Sequence, residues 1–81
     1  MSSYFVYLLE CADKSIYTGI TTNIERRLDE HKNKKIGARY TRARGAVKII
    51  YSEKFKTRSA ALKREAEIKS WRREKKLGLV I

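Results

Sequence analysis

The 81-residue chain contains no proline and a single cysteine, Cys11. One cysteine excludes an intramolecular disulfide and a cysteine-based zinc site, and its setting in an apolar stretch marks it as a small core residue. There is no internal repeat and no linker, so a single domain over residues 1–81 is expected. Long apolar runs are missing too. Nothing approaches the ~20 residues needed to span a bilayer, and the N-terminus has no basic region followed by a long apolar stretch, so no signal peptide is expected. A cytoplasmic protein without a membrane partner is the resulting expectation. Acidic side chains are the last scarcity: nine Asp and Glu stand against 20 Lys and Arg, for a net charge of +11.

What is present is unevenly spread. Residues 1–31 carry three basic and five acidic side chains, a balance of −2, which leaves +13 on residues 32–81. Such asymmetry is the footprint of a polyanion binder, because self-repulsion of this size strains a small domain that no partner neutralises. A merely soluble basic surface is the plainer alternative. The interleaving of basic residues with acids, and the placement of the aromatics in strands, argue against a membrane surface. A chain this short buries only about 60% of its unfolded surface, yet a hydrophobic content of 42% still suffices for a packed α/β unit.

Residues 4–11 are almost continuously apolar and aromatic, which suits a strand buried on both faces and central in its sheet. Ala12-Asp13-Lys14 is a short polar turn, and Ser15–Ile20 reads as the second strand of a hairpin. A three-residue loop sets Tyr7 opposite Gly19 and Leu9 opposite Tyr17, so both tyrosines share a face beside a glycine that leaves room for a substrate. A slip of one residue would separate them.

Thr22 or Asn23 caps a first helix that runs to about Asn33; with Thr22, Glu25 completes a capping box. At about 100° per residue, Arg27 and His31 fall on the same half as the apolar stripe of Ile24 and Leu28, and Arg26 faces away. Lys32 to Gly45 holds six basic residues and no acid, a phosphate-contacting composition in which Tyr40 can stack on a base. Val47–Phe55 reads as a third strand. Thr57 or Ser59 then caps a second helix reaching about Lys75, with Ala61, Leu62, Ile68 and Trp71 as its apolar face. Glu65 lies inside that face and Glu67 away from it.

A carboxylate on a core-facing stripe requires a partner or a cation. Glu65 is therefore either paired with an arginine or a tyrosine hydroxyl, or the single carboxylate of a Mg²⁺ site that keeps its waters. Arg27 either stabilises charge on a phosphoryl oxygen or pairs with an acid such as Glu30. For Tyr7 and Tyr17 the alternatives are strand packing and catalysis; for His31, the only histidine, they are a structural or surface role and a functional one.

Taken in order, Phe5-Val6-Tyr7, Tyr17-Thr18-Gly19, Arg27, His31 and Glu65 resemble the GIY-YIG nuclease domain over nearly the whole chain, closest to its small single-domain bacterial group. Tyr4 to Cys11, Tyr17 to Thr21, Asn23 to Leu28, Tyr40-Thr41 and Ala61 to Lys69 carry further matches. The first triplet is Phe-Val-Tyr in place of Gly-Ile-Tyr, and no asparagine follows Glu65 where many active relatives have one.

The resemblance implies an α+β fold in ββαβα order, with three antiparallel strands flanked by helices. It implies metal-dependent cleavage of phosphodiester bonds, with Tyr7, Tyr17, Arg27 and His31 as catalytic residues, Gly19 beside the substrate and Glu65 holding one Mg²⁺ or Mn²⁺. Lys34, Lys35, Arg39, Tyr40, Arg42, Arg44, Lys69, Arg72 and Arg73 are the expected nucleic-acid contacts. DNA is favoured over RNA, with single-stranded or branched character, in repair or processing, by a monomer or weak homodimer. The alternative is a nucleic-acid-binding module that keeps the fold without cleavage.

Overall fold

The computed structural model describes residues 3–32 and 45–80. The expected contacts Lys34, Lys35, Arg39, Tyr40, Arg42 and Arg44 lie outside the described residues.

β1 (Tyr4–Cys11) is the central strand of a three-stranded antiparallel sheet of order β2-β1-β3. Its continuous apolarity has the expected cause, cover on both faces. Val6 and Leu8 pack with Ile16, Ala61 and Ile68 on one face. Tyr7, Leu9 and Cys11 alternate with them and are buried on the other.

The hairpin to β2 (Ile16–Thr21) turns through Ala12-Asp13-Lys14, with Lys14 at φ 72° and the Cys11 N–H donating to the Ser15 carbonyl at 2.9 Å. A residue with positive φ at the end of a three-residue loop rotates the chain into the next strand. Asp13 Oδ1 accepts from both the backbone N–H and the hydroxyl of Ser15. Ser15 is thus part of the turn, and β2 begins one residue later than the sequence suggested. The register is the expected one: Tyr7 opposes Gly19 and Leu9 opposes Tyr17.

In α1 (Ile24–Lys32) the cap is Asn23, whose Oδ1 accepts from the Arg26 N–H at 2.9 Å. Thr22, the competing cap, is exposed and lies ahead of the helix. β3 (Ala46–Phe55) pairs with β1, but the register shifts between Leu8 and Leu9, where the partners jump from Tyr51 to Ile49. The unopposed Ile50 packs against the core cluster.

Thr57 Oγ1 accepts from the Ala60 N–H at 3.2 Å and starts α2 (Arg58–Lys69). The expectation of one helix to Lys75 fails at Ser70. Its hydroxyl donates to the Glu67 carbonyl at 2.6 Å and its N–H to the same oxygen, which tightens the last turn; Arg72 is then extended at ψ 163°. The last helix of the ββαβα order is therefore two pieces. After the break, α3 (Arg73–Leu77) returns to the hairpin: Arg73 Nε donates to the Lys14 carbonyl at 2.7 Å and Lys76 Nζ to the Ile16 carbonyl at 3.3 Å.

A polar network fixes α2 to β3. Arg64 donates from Nε and Nη2 to the two Glu53 oxygens at 2.9 and 3.0 Å, Tyr51 donates to Glu53 at 2.7 Å, and Arg64 also pairs with Glu67. The Arg64 guanidinium lies 5.2 Å from the centre of the Trp71 ring, with Lys75 Nζ at 4.5 Å from it. No helix among the described residues is long and apolar enough to cross a membrane.

Candidate active site

Strand pairing delivers the two tyrosines and the glycine to one face. Their ring centres are 6.2 Å apart. Helix spacing delivers Arg27 and His31 from α1 to the same place. The Tyr7 hydroxyl lies 2.7 Å from His31 Nε2 and accepts from Arg27 Nε at 3.3 Å, while the Tyr17 ring meets the imidazole edge-on at 5.0 Å. Arg26 is exposed, as the helical phase required.

The space beside Gly19 differs from the expectation. A Cβ there would stand 2.6 Å from Tyr7 Cζ and 2.8 Å from Tyr17 Cε2. The gap expected for substrate is filled by the Tyr7 phenol, which leans over the glycine toward the edge strand. Tyr7 and His31 are 0% and 1% exposed and form a sealed floor. Tyr17 and Arg27 are half-buried and form the accessible rim.

Burial sets the protonation states of the floor. It pushes the Tyr7 phenol up to about 12, against the opposing pull of Arg27. It lowers His31 to about 4, aided by the Arg27 charge. The imidazole is therefore neutral at pH 7 and shares one hydrogen bond with the Tyr7 hydroxyl through Nε2. Burial weakens the charged form of Arg27, but hydrogen bonds to Glu30 (3.0 Å) and Tyr7 more than restore it. The pairing reading of Arg27 is the one the structure shows: one edge pairs with Glu30, and another reaches the phenol.

Glu65 comes from α2, which covers the opposite face of the sheet, yet its charge is felt at the Tyr7 phenol. Its side chain is 15% exposed, and its partner is Lys69 Nζ at 3.6 Å, neither the arginine nor the tyrosine hydroxyl expected. That separation is beyond hydrogen-bond length. A mostly buried carboxylate whose partner among the described residues is a loose ammonium fits a hard divalent ion that keeps several waters, Mg²⁺ or Mn²⁺. No group of three or more His, Cys, Asp and Glu comes together among the described residues, so the described donors do not compose a zinc-type site.

Of the three expected contacts near the C-terminus, Lys69 is half-exposed beside Glu65, Arg72 is exposed, and the Arg73 guanidinium is committed to the Lys14 carbonyl. Lys76 was not anticipated. It is 9% exposed, its pKa is lowered by burial and then by the Lys69 charge, and it holds the backbone next to Tyr17. In sequence it is one more cation in a basic terminus; only the break at Ser70 turns it inward.

The GIY-YIG catalytic domain matches residues 3–77. A UPF0213 protein of Syntrophus aciditrophicus is 51% identical over 80 residues, covering 99% of this chain and 92% of its own. One from Haloquadratum walsbyi is 58% identical over 76 residues, covering 94% and 84%. Among solved structures, the UPF0213 protein BH0048 from Bacillus halodurans matches with a TM-score of 0.60 at 42% identity, covering 96% of this chain and 82% of that one. The protein EF2693 from E. faecalis matches with 0.61 at 44%, covering 98% and 88%.

Proposed function

The chain belongs to the GIY-YIG family, among its small UPF0213 members, and from that premise we propose that it is a metal-dependent endonuclease hydrolysing phosphodiester bonds in nucleic acid. The observation that carries this reading is the convergence of Tyr7, Tyr17, Arg27 and His31 on one face, with Glu65 within electrostatic range.

Glu65 holds one Mg²⁺ or Mn²⁺, which supplies Lewis-acid stabilisation of the phosphate and of the leaving oxygen. Arg27 donates to a phosphoryl oxygen from the rim, its orientation fixed by Glu30 and Tyr7. Tyr17, the accessible phenol, orients the attacking water. Tyr7, held protonated by burial, keeps its proton and orients Arg27 and His31 beneath the reacting water. Gly19 keeps the two rings at their spacing. Arg72 and Lys69 contact phosphates. The substrate is DNA with single-stranded or branched character, handled in repair or processing in the cytoplasm by a monomer or weak homodimer.

The test is incubation of purified protein with single-stranded, duplex and branched DNA and with RNA, in Mn²⁺ and in Mg²⁺. The expected result is EDTA-sensitive cutting that Glu65→Ala abolishes; no cutting of any substrate, or cutting that survives Glu65→Ala, overturns it. Complete burial of Tyr7 and the missing asparagine after Glu65 favour a second reading, a binding module without cleavage. Salt-dependent binding with no metal-dependent products would select it.

A further inference from the structure

Lys69 sits between two groups of opposite sign. On one side it is 3.6 Å from the Glu65 carboxylate, four residues earlier, in the favourable Glu-to-Lys order on a helix. On the other lies the buried Lys76, whose pKa is lowered first by burial and then by the Lys69 charge. Its own side chain is 54% exposed, whereas that of Glu65 is 15% exposed. The carboxylate is therefore fixed, and the ammonium is free to swing outward.

These positions have a consequence for any ion that Glu65 takes. Glu65, Lys69 and Lys76 together carry one net positive charge. A divalent cation on Glu65 would raise that to three, with Lys69 now repelled from both sides. The arrangement is relieved when Lys69 leaves the carboxylate and an anion enters. A phosphate of the bound strand fits both needs, because it meets the ion and the displaced ammonium together.

We propose that Lys69 is an exchangeable counter-cation of Glu65: it occupies the carboxylate in the metal-free protein, is displaced by the divalent ion, and then engages a substrate phosphate, so that metal and nucleic acid bind with positive coupling. The inference rests on Glu65 as the metal ligand. Lys69 acts here as a positioning residue. The coupling is reciprocal: nucleic acid tightens the metal by the same factor as the metal tightens nucleic acid.

Free Mn²⁺ followed by electron paramagnetic resonance, during titration into the full chain, reads this without turnover. The titration is done alone and with a phosphorothioate single-stranded oligonucleotide. Lys69→Ala should bind Mn²⁺ about two- to five-fold more tightly than wild type without oligonucleotide, the worth of one half-exposed ion pair. The oligonucleotide should tighten Mn²⁺ binding in wild type by a larger factor than in Lys69→Ala. Lys69→Arg, which keeps the charge, should behave as wild type. If Lys69→Ala binds Mn²⁺ no more tightly, or shows the same coupling as wild type, the inference falls and the nuclease reading stands. If Glu65→Gln binds Mn²⁺ as wild type does, both the metal assignment and the inference fall.

Discussion

Two clusters in this small fold use the same kinds of side chain, a tyrosine, an arginine and acids, to opposite ends. In the Tyr51–Glu53–Arg64–Glu67 network every group has a short, charge-assisted partner, and Arg64 grips Glu53 with two nitrogens. The Arg64 bond holds the Glu53 carboxyl below its ordinary range, and the Glu53 bond raises Tyr51. At the candidate site Glu30 is paired with Arg27 at 3.0 Å, but Glu65, from α2, has a loose partner at 3.6 Å, and the Tyr7 phenol is shifted mainly by burial. A saturated network resists change and serves the fold, since breaking a hydrogen bond to a charged group costs about 1.5–3 kcal/mol. A cluster with an under-used carboxylate and an arginine at its rim keeps capacity for a ligand.

The comparison breaks first on activity. Arg27→Ala should lower the cutting rate at least about 100-fold at temperatures below its own melting transition, the cost of one lost electrostatic donor to the phosphoryl group. Arg64→Ala should leave the rate within about three-fold below its melting transition. Equal rate losses would erase the distinction between the clusters.

Gly19→Ala comes next. Its methyl group must push aside two rings, one of them fully buried. Urea unfolding should show a loss of about 2 kcal/mol, together with impaired cutting; a neutral result would mean that the tyrosines do not need their present spacing. Arg64→Ala itself should destabilise by about 1–2 kcal/mol, read from the same curves, because α2 loses its grip on β3.

A pH dependence tests the floor of the Tyr7 cluster. His31 takes up a proton near 6.5 when unfolded and only near 4 when folded. As pH falls through that window the unfolded chain gains protons that the native state refuses, so stability is present above it and is lost on acidification. The loss should be about 2–3 kcal/mol between pH 6.5 and 4, and unfolding curves of His31→Gln should be flatter over that range.

Much of this was legible from the chain. Strand alternation and a three-residue turn are local properties, and they set Tyr7 opposite Gly19 with Tyr17 on the same face. Helical phase is equally local, so Arg27 and His31 could be assigned to the inner half of α1 and Arg26 to the outer. Side-chain chemistry narrowed each helix cap to two candidates, of which the structure uses Asn23 and Thr57. The family resemblance rested on those same ordered residues, and the match over residues 3–77 bears it out.

Other features depended on groups far apart in the chain. That the space at Gly19 holds the Tyr7 phenol follows from how far a ring reaches across a strand pair. The break at Ser70 is a competition between its hydroxyl and the helix for the Glu67 carbonyl, decided by the docking of α3 on the hairpin some 60 residues earlier. That docking buries Lys76 and brings it beside Lys69. The sequence by itself determined the strands, the helical faces and the residues that line them, because those follow from periodicity and short-range hydrogen bonding. Only the tertiary structure decided that Lys76 is buried against the hairpin and that Tyr7 is sealed beneath Tyr17, since burial and charge proximity arise from which segments pack together.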